Sequence, residues 1–166
     1  NYLKLKADGE WAWPPMLFDN PVSKIEAMLQ SMQELRVLPE CECFDTGIVR
    51  SVAMFAQRGM LSPRPSVSLV MGVASGMPCK PAWLPLLLEE LPDAAIWQVI
   101  AIGREEVWQL QRRAAELGGH LRSGLEDTFY LPDGTRAESN GDLIAALAKV
   151  ATVAGRSIAG PEEARK

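Results

Sequence analysis

Histidine and cysteine are scarce in this 166-residue chain: there is one histidine, His120, and there are three cysteines, Cys41, Cys43 and Cys79. An odd number of cysteines with no C-x-x-C pair argues against a disulfide framework and against a cysteine zinc site. Cys41 and Cys43 stand two apart in a strand-like run, on one face, and read as small buried apolar groups. A reducing, cytoplasmic compartment fits them best. There is no basic run and no basic–aromatic stripe, and the formal net charge is −4, which speaks against nucleic acid as a partner. The apolar runs are far too short to cross a bilayer, so no membrane partner is expected. Neither G-x-G-x-x-G nor a phosphate-loop lysine occurs, so nothing supports a nucleotide fold. No signal peptide is visible. The first residue is Asn1 rather than methionine, so a missing natural N-terminus is expected.

Hydrophobic residues make up 48% of the chain and charged residues 23%, enough for one ordinary domain with a real core. Residues 1–20 read as an irregular lead-in. Its Trp11, Trp13, Pro14 and Pro15 suit a core cover, an interface or a ligand lid. Asn20 and Pro21 then punctuate a helix start, with Ile25, Met28, Leu29, Met32 and Leu35 at helical spacing and Pro39 ending the region. Residues 40–45 alternate as a strand with Glu40 and Glu42 on one face, where they either point into a polar barrel lumen or pair with a base. A helix over about 47–59 follows. The run 66–73 suits a parallel strand covered on both faces, and 74–78 is a turn with free backbone amides. A Leu-dense helix (about 81–91), a strand (96–102), a helix (about 105–117) with Val107, Leu110 and Ala114 inward, and a strand (119–124) come next. A long helix capped by Ser139 or Asn140 runs to Ala154 with Leu143, Ile144, Leu147, Val150 and Ala151 inward. Glu162 begins a further polar helix. Strand–helix four times over, at intervals of about 25–30 residues, is βαβ architecture with parallel strands. It makes either a small doubly wound sheet or half of an eight-unit barrel.

In both architectures ligands bind beyond the carboxyl ends of the strands. The loops there hold Asp45-Thr46-Gly47, Ala74 to Pro78 including Gly76, Gly103-Arg104-Glu105, and Gly124-Leu125-Glu126-Asp127. The stretch from Gly118 to Leu131 organises the rest. Alternation along an extended chain puts Arg122, Gly124 and Glu126 on one face, and Gly124 leaves room for a ligand to approach the backbone. Either this is a structural Arg–carboxylate pair or it is a site. Arg104, beside helix N-terminal amides, could hold a phosphate or could be a solvated helix-start arginine. Glu126 could be an oxygen ligand for a divalent metal. His120 lies early on its strand, at the wrong end or on another face to join it.

Gly-Gly-His-Leu-Arg-Ser-Gly-Leu-Glu-Asp (118–127), then an aromatic, a Gly turn, Ala-Glu-Ser-Asn (137–140), a helix and Gly-Arg-Ser-Ile-Ala-Gly-Pro-Glu-Glu-Ala-Arg (155–165) form an ordered set of motifs. They resemble the C-terminal half of the β-keto acid cleavage enzymes, whose type member is 3-keto-5-aminohexanoate cleavage enzyme. Pro39-Glu40 with Glu42, Phe44-Asp45 and Gly47, then Gly72-Val73 with Gly76 and Pro78, and Trp97 with Ile102-Gly103-Arg104 agree in order and spacing. The resemblance covers about residues 17–166; the segment Tyr2–Trp13 is unlike the family. It implies a (β/α)8 TIM barrel of which this chain, residues 1–166, supplies the C-terminal half: the lead-in 1–20 and βα units over 21–166. It implies a zinc-dependent acyltransferase that condenses a β-keto acid with acetyl-CoA and cleaves the product to acetoacetate and a new acyl-CoA, in a homo-oligomer. Glu126 would then be the carboxylate zinc ligand and Asp127 the base that removes the proton next to the keto group. Arg122 would hold Asp127 ionised and oriented and stabilise negative charge. Arg104 and Gly76 would face the acetyl-CoA co-substrate. The chemistry is coherent, because zinc polarising a keto oxygen makes the neighbouring carbanion accessible to a carboxylate base, and a nearby guanidinium favours the charged acid.

The family's His-x-His zinc ligands have no counterpart here, nor do the early catalytic glutamate and substrate-binding hydroxyls of its first half. The 166 residues are therefore expected to be a fragment, inactive alone. The alternatives are a non-catalytic half-barrel that binds or assembles without metal chemistry, and an unrelated small α/β module whose Arg122–Glu126 pair is only structural.

Overall fold

A computed structural model describes residues 6–10 and 19–165. Trp11, Trp13, Pro14 and Pro15, and with them the reading of a lid or interface, lie outside the described residues, as does the rest of Tyr2–Trp13 up to Leu5. The elements follow the expected alternation: α1 (Val22–Glu34), β1 (Glu40–Cys43), α2 (Thr46–Gln57), β2 (Ser66–Met71), a 3-10 turn (Pro81–Trp83) leading into α3 (Leu84–Glu89), β3 (Ile96–Ala101), α4 (Glu106–Glu116), β4 (His120–Arg122), α5 (Asn140–Val153) and α6 (Pro161–Ala164). The four strands form one parallel sheet in the order β1-β2-β3-β4.

Local chemistry sets several boundaries. Asp45 caps α2 by accepting from the Ile48 amide at 2.8 Å. Of the two candidates for the α5 cap, Ser139 takes the role, in a reciprocal pair with Asp142. At α1 the start differs from expectation. Pro21 itself occupies the capping position without a side-chain bond, and Asn20 lies outside the helix.

Strand register divides the sheet into two unlike faces. Cys43, Val67, Leu69, Met71, Val99 and Ala101 point to one side and meet Leu29, Val49, Val52, Leu84, Leu87, Val107, Leu110, Ala114, Leu143 and Leu147 from α1 to α5 in a single apolar cluster. The alternate residues point the other way. They are Glu40 and Glu42, Ser66, Ser68 and Val70, Ile96, Gln98 and Ile100, and His120 and Arg122, and they stand in rows across the strands. Val70 and Ile100 are buried on this second face but belong to no helix-backed cluster. Among the described residues, helices therefore back one face only, unlike a doubly wound sheet. On the other face Ser68 Oγ donates to Glu40 Oε1, and Gln98 Nε2 donates to both, at 3.0 Å to Glu40 and 2.9 Å to Ser68. The glutamates of β1 thus have the polar surroundings that their position demands.

Two expected core stripes are only partly buried. On α1, Leu29 is buried, whereas Leu35 is 74% exposed and Met28 half exposed. On α5, Leu143, Leu147 and Ala151 face inward but Ile144 is half exposed. The period marks a helix's apolar face; it does not say that the same chain covers it.

Leu69 is fully buried at the centre of the helix-backed face. Leu69→Ala should lower unfolding free energy by about 2–5 kcal/mol in denaturant titration, the usual cost of a core cavity. Burial first, and then the charges of Cys41 and Asp45, push the Cys43 thiol up to about 12. Its thiolate is therefore negligible near neutrality. Alkylation followed by mass spectrometry should label Cys43 only after denaturant is added, and rapid native labelling at pH 7 would contradict the buried placement.

Candidate functional site

Arg122 is the last residue of β4. Beyond it the chain does not stay extended. The amides of Asp127 and Thr128 both donate to the Gly124 carbonyl, at 2.9 and 3.0 Å, and close a tight turn. The strand is thus shorter than the expected 119–124. Glu126 reaches Arg122 because the turn folds it back, not because alternation along a strand aligns the two. The turn is held from three sides. Asn140, the first residue of α5, accepts from the Leu125 amide at 2.8 Å. The Gly103 amide donates to the Asp127 carbonyl at 3.3 Å. Gln111 of α4 donates to the Arg122 carbonyl at 2.6 Å, and its own Oε1 is buried without a partner. Space above Gly124, anticipated for a ligand, is taken by Asn140 Oδ1, 3.2 Å from where a Cβ would sit.

Three carboxylates surround the Arg122 guanidinium. Nη2 is 2.8 Å from Glu126 Oε2, Nε is 3.5 Å from Asp127 Oδ2 and Nη1 is 3.9 Å from Glu42 Oε1. Their surroundings differ sharply. The Asp127 side chain is 3% exposed and that of Glu126 82% exposed. Burial pushes the Asp127 carboxyl up from its ordinary value; Arg122 pulls it down, and Glu126 and Glu42 push it further up. Arg122 was expected to hold Asp127 ionised. It does act in that direction, but burial outweighs it. Glu42 is the member that reading the chain in order missed. It sits on β1, with two strands between it and β4, yet it shares the polar face with Arg122, and strand parity together with the sheet order would have found it.

The other candidates lie elsewhere. Arg104 follows β3 and stacks on the Tyr130 ring, 4.2 Å from its centroid, with Glu105 Oε2 3.7 Å from its Nε. The Gly76 amide is not the free donor expected of its turn: it donates to Val73 O, and the next amide, of Met77, donates to Phe44 O. Gly76 is required because a Cβ would stand 2.8 Å from the Phe44 carbonyl oxygen. His120 opens β4, exposed, in register with Gln98 and away from the turn. Among the described residues no group of three His, Cys, Asp or Glu side chains is placed to hold a metal ion. Catalytic zinc takes three protein ligands; of the three acids around Arg122, Glu126 and Glu42 are exposed and Asp127 is not. Among the same residues no helix is long and apolar enough to cross a membrane.

A one-sided parallel sheet with acids gathered on an arginine at its C-terminal end defines an α/β protein with a carboxylate–guanidinium centre. The chain belongs to the beta-keto acid cleavage enzyme family, whose model matches residues 4–166. It is 33% identical over 150 residues to the 3-keto-5-aminohexanoate cleavage enzyme of Acetoanaerobium sticklandii, covering 90% of this chain and 55% of that protein. Identity to the enzyme of the same name from Fusobacterium nucleatum is 31% over 150 residues, with 90% and 54% covered. Identity to the 3-oxoadipate:acetyl-CoA acetyltransferase of Cupriavidus necator is 31% over 163 residues, with 96% and 57% covered. The chain thus spans about half the length of the curated relatives it matches. A solved structure titled "Apo structure of ObcA" superposes with a TM-score of 0.68 at 16% identity, over 97% of this chain and 41% of that one, a likeness of fold.

Asp127→Asn keeps the shape of the side chain and removes a buried charge. For a carboxyl raised on folding, stability falls as pH climbs from the unfolded value through the raised one. The substitution should therefore raise the thermal midpoint at pH 7, and the gain should vanish as pH is lowered through the carboxylate range. A lower midpoint for Asp127→Asn at pH 7 would show that the charge is stabilising where it stands.

Proposed function

We propose that this chain is the C-terminal half of a (β/α)8 barrel, and that in the whole barrel its Arg122–Asp127 centre removes a proton from the carbon beside a keto group. The reaction would be that of a β-keto acid cleavage enzyme, which condenses a β-keto acid with acetyl-CoA and yields acetoacetate and a new acyl-CoA. The observation that carries this reading is a nearly dry carboxylate, Asp127, held against a guanidinium at the C-terminal end of a parallel strand. That is where such folds place chemistry. The half-barrel reading is supported by helices on one face only, by the polar opposite face and by the twofold length of the relatives. Acetyl-CoA as co-substrate is supported by the name of the Cupriavidus necator relative.

Asp127 Oδ2 accepts the proton, and the C–H electron pair moves to the keto oxygen as an enolate. A carboxyl raised by burial is a stronger base than an ordinary one. Arg122 lies within reach of the charge that develops and keeps Asp127 aimed. The carbon nucleophile then attacks the thioester carbonyl and releases the coenzyme A thiolate. The thiolate attacks the original keto carbon, the C–C bond breaks, and the departing carbanion takes back the proton held on Asp127, which gives acetoacetate and the new acyl-CoA and restores the base. Glu126 would be one ligand of a zinc ion, which when bound would supply polarisation of the keto oxygen. The described residues do not form a zinc site on their own, so the remaining ligands must come from the other half, and no step above depends on the ion.

The test uses the whole barrel. Incubated with acetyl-CoA and a panel of β-keto acids, it should produce acetoacetate and new acyl-CoA by mass spectrometry. Asp127→Asn should lower turnover by about 10²–10⁴-fold, the usual contribution of a general base, with zinc content unchanged. Glu126→Ala should lose zinc. Full turnover in the Asp127→Asn protein would remove that residue from the mechanism.

A further inference from the structure

Next to the carboxylate centre lies a second feature that the proton transfer does not use. Two arginines are each laid on an aromatic ring: Arg104 on Tyr130, 4.2 Å from the centroid, and Arg136 on Phe129, 5.6 Å from it. Phe129 and Tyr130 are adjacent. Tyr130 pairs with Arg136 across the turn that follows, so the rings of both arginine–ring pairs are carried by one short turn.

This patch is built rigidly. The Trp108 indole Nε1 donates to the Tyr130 carbonyl at 3.0 Å, and the Tyr130 amide donates to Thr128 Oγ1 at 3.2 Å. The turn is closed by Leu131 N to Thr135 O and Ala137 N to Phe129 O, at 2.8 and 2.9 Å. The acid at its tip, Asp133, accepts from Thr135 N and Oγ1. Both arginines are exposed, and among the described residues neither donates a hydrogen bond to an acceptor. The nearest acid is Glu105, on the Nε edge of Arg104 at 3.7 Å, beyond hydrogen-bond length. A guanidinium lying flat on a ring keeps its N–H edge free, and that edge matches two oxygens of one phosphate. The Gly103 amide, one residue before Arg104, is bonded to the Asp127 carbonyl. That bond ties the loop that carries Arg104 to the turn that carries the base.

We propose that the Arg104–Tyr130 and Arg136–Phe129 pairs form a ledge that grips the phosphate groups of the coenzyme A co-substrate while its thioester reaches the Arg122–Asp127 centre. This rests on the acetyl-CoA reading above. It assigns Arg136, Tyr130 and Phe129 to substrate binding alongside Arg104.

In the whole barrel, Arg104→Ala and Arg136→Ala should each raise KM for acetyl-CoA about tenfold or more, as expected for loss of a charged hydrogen bond. KM for the β-keto acid should stay the same. Arg104→Lys should recover part of the loss. With acetyl-pantetheine, which lacks the nucleotide, the penalty should disappear. Calorimetry with adenosine 3′,5′-bisphosphate gives a readout that does not need turnover: the unaltered protein should bind it, and each alanine variant should bind it about tenfold more weakly. An unchanged acetyl-CoA KM in both variants, or an equal loss with acetyl-pantetheine, would overturn the ledge and leave the arginines as braces of the turn. If no β-keto acid is turned over, the functional reading fails, and arginine-dependent bisphosphate binding would still support a phosphate site here. Without such binding the ledge falls too.

Discussion

The site depends on one guanidinium facing three acids. Of the three contacts, the shortest is not the most consequential: Glu126 is 2.8 Å from Arg122 but lies in water, where such pairs contribute little. Asp127 is farther away and almost dry. A buried carboxylate without a counter-charge is expensive, so Arg122 matters most to the acid it touches less closely. The rest of the turn follows from keeping that pair together. Gln111 fixes the Arg122 backbone from the helix side, and Asn140 and Gly103 fix the turn that carries Asp127.

The sheet is divided by the same logic. Parity sends Val67, Leu69, Met71 and Val99 to the helices and Glu40, Ser68, Gln98 and Arg122 to the other side. Once Glu40 is satisfied by Ser68 and Gln98, that face can be roofed only by something that leaves its polar groups hydrogen-bonded. An apolar layer of helices would strand them. The acids of β1 and the arginine of β4 therefore favour a polar interior and disfavour a doubly wound sheet, independently of any relative.

Much of this was legible along the chain because periodicity is local. Apolar runs located β2 and β3, period-two alternation located β1, and the Gly pair after a helix marked the start of β4; Val107, Leu110 and Ala114 are buried as their spacing predicts. What failed depends on information that spacing does not carry. The end of β4 was misplaced because Gly124 O captures two amides and turns the chain, and extended alternation was assumed through it. Leu35 and Ile144 share the apolar stripes of their helices, but a stripe does not name its cover. Glu42 was recognised as an acid needing a base, yet its base lies some eighty residues on, and the two meet only once the strand order is known. The aromatic support of Arg104 was hidden for the same reason, since Tyr130 arrives from the loop after the next strand.

The adjacency of Glu126 and Asp127 carries the remaining argument. Two neighbouring carboxylates with similar surroundings would be interchangeable. Here one side chain is 82% exposed and the other 3%, and environments that push two acids apart assign them different tasks. Glu126 can leave Arg122 for another cation at little cost, because water already screens the pair. Asp127 has no such freedom, since any movement away from Arg122 would leave a charge in a dry place. In the function proposed above, the exposed acid would suit coordination and the confined one would suit taking up a proton, because gaining a proton is the change that relieves its confinement. That division would follow from the depth at which the turn sets each side chain, with Arg122 common to both.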